Sequence, residues 1–440
     1  MGIPSHRFPL VVLASATCFF VRGTAASEGS PPGVAIAASV PGDPDDIPLP
    51  AGVKSVRPLR QDTTVFASPG PGGARRGTLE GDAIVPLMGT SRAPGCSGRW
   101  LQIGAEAWVC GDGARLSKDE PISIAMPVPE SGLPFSYFFV GPRGSESYGN
   151  LHRAAEESPD TSEEAGFGLA IDEVREAYGA RWGHTAKGRW VRLADLSAAS
   201  PSAFEGAHVE GANELLQVAW TTADKTPIWS TEKLTGKPLR SLAAHVRLTV
   251  LEAFPERKLL KIRTPDAIGV PAIEGYGHLA RNVTRPSVSA VPEGVGAGER
   301  WIDVDLASQT LVAYEGPLPV FATLVSTGRG KEGSDTVTPR GEHRIWVKLR
   351  STTMANVEDE DAMSHYSLEE VPWVMFFDKA VGIHGAFWHR DFGRVRSHGC
   401  VNMAPKDAAW LFAWAGPALP VGFSAVLPSP SELGTMVRVR

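Results

Sequence analysis

The chain has 440 residues, with 43 Lys and Arg against 49 Asp and Glu, a net charge of -6, and 42% hydrophobic and 21% charged residues. That balance excludes a basic nucleic-acid binder and a chain disordered throughout, and the length suits two to four domains at roughly 100–200 residues each. The 47 glycines and 36 prolines follow no Gly-X-Y period, so the expectation is a mainly β, multidomain protein with many turns between short strands.

The N-terminus begins with His6 and Arg7, continues as an apolar run from Phe8 to Val21, and exits through Thr24-Ala25-Ala26. This is the pattern of an export signal over residues 1–26, cleaved near Ala26. The run is shorter than the roughly 20 residues of a spanning helix, so no transmembrane anchor is expected in the mature chain. Lipid attachment at Cys18 is disfavoured, because Ser15, Ala16 and Thr17 before it and Phe19 and Phe20 after it fit a lipoprotein signal poorly. Residues 27–53, rich in Pro, Gly, Ala and Ser, read as a flexible linker.

From 54 to 118, short strand-forming runs such as Thr64-Val65-Phe66, Trp100-Leu101-Gln102-Ile103 and Ala107-Trp108-Val109-Cys110 alternate with Gly/Pro turns. The pattern resembles a bacterial SH3-like barrel, and such modules bind cell-wall polymers or act as spacers. Removal of Cys18 leaves Cys96, Cys110 and Cys400. Cys96 and Cys110 are close in sequence and expected to pair in an oxidising compartment, which leaves Cys400 as a reactive thiol, half of an intermolecular bridge, or a buried inert thiol.

Residues 119–225 read as a β-rich middle domain, in which 168–178 is strand or short helix. Residues 226–285 look like a second, more divergent barrel, and 286–298 is a linker. A last domain over 299–430 opens with a hairpin, Trp301-Ile302-Asp303-Val304-Asp305 returning as Thr310-Leu311-Val312-Ala313-Tyr314. The credible helix is Ala404 to Trp414, with Pro405 at its start, Asp407 in its first turn, and Ala408, Leu411 and Phe412 on one face.

The segment from His384 to Asn402 concentrates chemistry: His384, His389, His398 and Cys400, with glycines at 385, 393 and 399. A cysteine nucleophile needs a base or a positive field and backbone N–H groups for the developing oxyanion. Arg390, Arg394 and Arg396 outnumber Asp391, so a field that lowers the thiol pKa is expected.

Ser397-His398-Gly399-Cys400-Val401-Asn402, preceded by His384-Gly385, resembles the signature of L,D-transpeptidases, the YkuD-type catalytic domain. The resemblance runs from about Trp301 to Pro428. It takes in the early hairpin, the Ser326-Thr327-Gly328 strand end and the Thr338-Pro339-Arg340-Gly341 turn, and leaves the first 300 residues uncovered. It implies a β-sandwich with a short helix. It also implies that Cys400 is the nucleophile, His384 its base or imidazolium partner, and the Gly385 carbonyl the third member of a triad, with Gly399 and Cys400 N–H groups facing the oxyanion. Ser397, His398 and Asn402 shape the nucleophile turn and bind substrate, with a second catalytic role open to His398, while Trp388 and Tyr366 are further substrate contacts. His343 and His389 lie outside the motif and are taken as ordinary surface histidines.

The implied reaction is acyl transfer from a peptidoglycan stem tetrapeptide with release of D-alanine, in the periplasm or cell wall, without cofactor or metal. Hydrolysis of the same stems, or a wall-binding scaffold with a degenerate catalytic domain, are the alternatives. Two rival motifs carry less. Gly328-Arg329-Gly330-Lys331-Glu332-Gly333 matches G-x-G-x-x-G but precedes no helix, so a mobile loop is expected. A zinc site from His384, His389, His398 and Cys400 has suitable ligand types but not a usual spacing.

Overall fold

The computed structural model describes residues 49–123, 128–279, 281–330, 333–334, 336–357 and 365–440. The export segment, most of the first linker, and Lys331 and Glu332 of the glycine loop lie outside the described residues.

In the first module, Val56, Val65, Leu79, Leu101, Ile103 and Val109 make a small buried core, and Cys96 is bonded to Cys110. This module shares strands with the C-terminal domain. Arg75–Leu79 pairs antiparallel with Phe423–Val426, and a Cβ at Gly77 would meet the Ala425 carbonyl oxygen at 2.2 Å. Only glycine permits that approach. The middle module is built on the long strand Gly168–Ala177, which resolves the strand-or-helix alternative. That strand pairs with Ser136–Val140 and Ala180–Thr185, and its first residue, Gly168, bridges to Leu368 of the C-terminal domain.

A five-stranded sheet follows, in the order Glu274–His278, Leu259–Arg263, Arg247–Phe254, Val218–Thr221, Val283–Thr284. It begins at Val218, ahead of the boundary at 226 expected from sequence. The reason is that Ala219 packs into this sheet's core while Trp220 is buried against the C-terminal domain.

In the C-terminal domain, the hairpin Arg300–Asp305 and Thr310–Glu315 continues into Leu318–Ser326. The closing strand is Met436–Val439, parallel to Arg300–Asp305 and antiparallel to Gly341–Arg344. The expected end of the domain at 430 therefore stops short, because Val437 and Val439 are core residues. The opposing strands are Val347–Ala355, Ser367–Asp378, Val381–Gly385 and Val401–Met403. Between the layers lies the helix Pro405–Trp414, which buries Ala408, Leu411 and Phe412. Its C-terminal carbonyls are capped from the core: Lys348 Nζ donates to the Phe412 and Ala415 carbonyls, 2.6 Å each.

The first turn of that helix anchors an upstream segment. Asp407, 3% exposed, accepts the Gly206 N–H at 3.0 Å and the Thr323 hydroxyl, while Ala207–His208 adds an edge strand to Leu318–Ser326. Burial pushes the Asp407 carboxyl up to about 7, against about 4 in an unfolded chain. The folded form holds its proton where the unfolded chain has lost it, so this group makes stability fall as pH rises from about 4 to about 7. Asp407→Asn should remove that slope. Thermal midpoints recorded across the window check it, and an unchanged slope would assign the dependence to another group.

Candidate active site

Two parallel strands set the geometry. Val381–Gly385 and Val401–Met403 pair with Ile383 opposite Val401 and His384 opposite Asn402. Ile383, Val401 and Met403 enter the core. Alternation along each strand therefore places His384, Asn402 and, one step earlier, Cys400 on the other face. The conformation just before Cys400 needs glycine, since Gly399 has φ +131°.

His384 is 2% exposed and donates from Nδ1 to the Gly385 carbonyl at 3.2 Å. That bond leaves Nε2 with the lone pair, the tautomer a general base requires. Burial pulls the His384 pKa down to about 4, so the imidazole is neutral near pH 7. Its ring stacks on Trp388 at 5.7 Å. The Cys400 thiol donates to the Ala380 carbonyl at 3.8 Å. Burial pushes this thiol up, opposed in part by the Gly382 N–H.

The expected lowering by arginines is therefore overturned. Arg390 donates to the Ser200 carbonyl, Arg394 to Asn282 Oδ1, and Arg396 pairs with Asp391. All three are turned from the sulfur to other partners. At rest the Cys400 thiol and the His384 imidazole are both neutral.

The turn that carries Cys400 is held by hydroxyls. Thr338 donates to the Gly399 carbonyl at 2.7 Å and accepts the Gly328 N–H at 2.9 Å. Ser397 donates to the Cys400 carbonyl and accepts the Gly399 N–H at 3.1 Å. This last bond corrects the assignment of Gly399 as an oxyanion donor, because its N–H is already used.

His398 is exposed on the rim. Its Nε2 accepts from Arg329 Nη2 at 2.7 Å and its ring stacks on Tyr366 at 6.3 Å. Tyr366 is 37% exposed, and its phenol is pushed up by burial and by the neighbouring Cys400 sulfur. Tyr366, His398 and Arg329 thus form one edge above the thiol.

Asn402 and His389 depart from expectation. Asn402 is 3% exposed; one end of its amide meets His389 Nε2 at 2.9 Å, and the other end is buried without a partner in the protein. His389 is 7% exposed, not a surface histidine, and His343 is half-buried against the Phe377 ring. Thr338 and Arg329 were given no site role from sequence, and His389 was set aside as an ordinary surface histidine. A hint for Thr338 was its place in the Thr338-Pro339-Arg340-Gly341 turn. Among the described residues, one grouping has metal-type ligand atoms close together, Cys96, Cys110 and Asp112, and its two sulfurs are consumed by the disulfide.

A thiol at the entry to one strand and, on its neighbour, an imidazole oriented by a backbone carbonyl make the arrangement used for nucleophilic acyl transfer. Residues 299–439 match the YkuD family model, the L,D-transpeptidase catalytic domain. This segment is a YkuD-type L,D-transpeptidase catalytic domain.

Solved structures similar to the chain include the catalytic domain of the E. faecium L,D-transpeptidase, 26% identical, covering 32% of this chain and 98% of that one, TM-score 0.25. Another is an L,D-transpeptidase from Xylanimonas cellulosilytica, 20% identical, covering 34% of this chain and 63% of that one, less than two thirds, TM-score 0.23. An LD transpeptidase in complex with imipenem is 15% identical, with 55% of this chain and 100% of that one covered, TM-score 0.26. No curated protein matches the chain.

Proposed function

We propose that this protein is an exported L,D-transpeptidase that crosslinks peptidoglycan stems by cysteine acyl transfer. The observation that carries the proposal is the placement of Cys400 immediately before the strand Val401–Met403, which runs parallel to the His384 strand, with His384 Nδ1 committed to the Gly385 carbonyl.

As the Cys400 sulfur attacks the carbonyl carbon between the third residue of a stem tetrapeptide and its terminal D-alanine, the thiol proton passes to His384 Nε2. The Cys400 N–H faces the developing oxyanion. Collapse breaks the amide bond, His384 returns the proton to the leaving amine, and D-alanine departs from a thioester. The side-chain amine of a second stem then attacks the thioester, gives its proton to His384, and regenerates the thiol. Bond energy is kept in the thioester, so no external energy source enters. The apolar run at the N-terminus supports export, since this substrate lies outside the cytoplasm. The upstream modules are proposed to bind wall polymers.

Intact-protein mass spectrometry after incubation with a carbapenem, whose ring mimics the acyl donor, tests the nucleophile. The wild type should gain one adduct and Cys400→Ala none; an adduct on both would place the nucleophile elsewhere. Defined tetrapeptide muropeptides then test the acceptor, with crosslinked dimers expected and free tripeptides alone indicating hydrolysis.

A further inference from the structure

A second histidine behind the catalytic pair has no part in the steps above. The Asp391 N–H donates to His389 Nδ1 at 3.2 Å. Nδ1 therefore holds the lone pair, and in the neutral ring the proton sits on Nε2. Burial, then Arg396, pulls the His389 pKa down to about 4, which keeps the ring neutral near pH 7.

Nε2 lies 2.9 Å from one end of the Asn402 amide. With Nδ2 at that end, two donors would face each other, and Oδ1 would be left buried without a partner. With the amide turned over, its oxygen accepts from His389, and the unpartnered end becomes an –NH2 donor. Asn402 stands opposite His384 on the neighbouring strand. It therefore shares the face that holds the general base and the nucleophile.

We propose that His389 is a positioning residue for acyl transfer: its Nε2–H holds the Asn402 oxygen and so commits the Asn402 –NH2 as a buried donor to the carbonyl oxygen of the bound donor peptide. This rests on the transpeptidase function proposed above. It accounts for a buried polar atom left without a partner by the protein, since the acceptor arrives with the substrate. A histidine with the opposite tautomer would present a lone pair at Nε2, hold the amide the other way, and offer the substrate carbonyl an oxygen it repels.

The test uses the full mature chain and compares carbapenem acylation and tetrapeptide turnover in the wild type, His389→Phe, His389→Gln, Asn402→Ala and the double variant His389→Phe with Asn402→Ala. His389→Phe and Asn402→Ala should each slow acylation roughly tenfold to a hundredfold, with KM little changed, as for one charge-directed hydrogen bond lost. The double variant should be no slower than the slower single, because both remove one device. His389→Gln retains an N–H near the Nε2 position and should recover most of the rate. Additive losses, or a Gln variant as slow as Phe while folded, would overturn the proposal.

Long-range 1H–15N NMR of the wild type reads the His389 tautomer without any variant. A proton on Nε2 supports the proposal and one on Nδ1 overturns it. A wild type with no carbapenem adduct would instead defeat the transpeptidase function and the proposal with it, whereas a normal adduct with additive variants defeats the positioning role alone.

Discussion

Replacing His384 with Ala should slow carbapenem acylation by about 10²- to 10⁴-fold, the range expected for losing a positioned general base, while the protein stays folded. The cause is specific to this site. His384 is buried and Cys400 half-buried, the His384 pKa is pulled down to about 4 and the Cys400 thiol is pushed up, so proton transfer has to accompany attack.

The same shifts fix the pH dependence. His384 is a neutral base at every pH well above 4, so the wild-type acylation rate should show no acid limb between about pH 5 and 8, where an unperturbed imidazole would titrate. Instead it should climb on the alkaline side, following the raised thiol. In His384→Ala the remaining rate should follow the free thiolate alone and rise more steeply with pH. Stopped-flow acylation across this range decides the matter. A bell-shaped wild-type profile centred near neutrality would mean a preformed thiolate–imidazolium pair, and the buried neutral pair would be wrong.

What was legible in the sequence was local. The His384-Gly385 pair and the 397–402 run carry their chemistry in consecutive residues, and the strand periods of the 301–314 hairpin need no distant partner. The arginines misled because a side chain's sequence neighbourhood does not fix its direction: Arg390 and Arg394 reach residues 200 and 282, which no local pattern connects to them. Likewise, the Gly399 N–H is consumed by a serine two residues away, a detail of turn geometry rather than of composition. The module boundaries failed for a related reason. Val218–Thr221 and Met436–Val439 are four-residue strands whose burial comes from partners far along the chain.

That long-range packing leads to the second large expected effect, Phe204→Ala. Phe204 is buried in the segment that also supplies Gly206 to Asp407, and its ring packs against Trp220 at 6.1 Å, His245 at 5.2 Å and Phe392 at 6.5 Å. Truncating a buried phenylalanine costs about 3–5 kcal/mol, so the thermal midpoint should drop by several degrees at least. The loss should also reach the chemistry. Phe392 lies in the loop that joins the His384 strand to Cys400, and that loop is tied to upstream modules by the His245 Nε2–H to the Phe392 carbonyl at 3.1 Å, by Arg390 to Ser200 and by Arg394 to Asn282. Loosening it changes the distance over which the thiol proton must travel, and small displacements of this kind are expensive in rate. Phe204→Ala should therefore slow acylation by more than the fraction of protein unfolded accounts for, and Phe204→Leu, which refills most of the volume, should restore both midpoint and rate. A destabilised Phe204→Ala protein whose folded fraction acylates at the wild-type rate would show instead that the upstream modules hold the domain together without tuning its nucleophile.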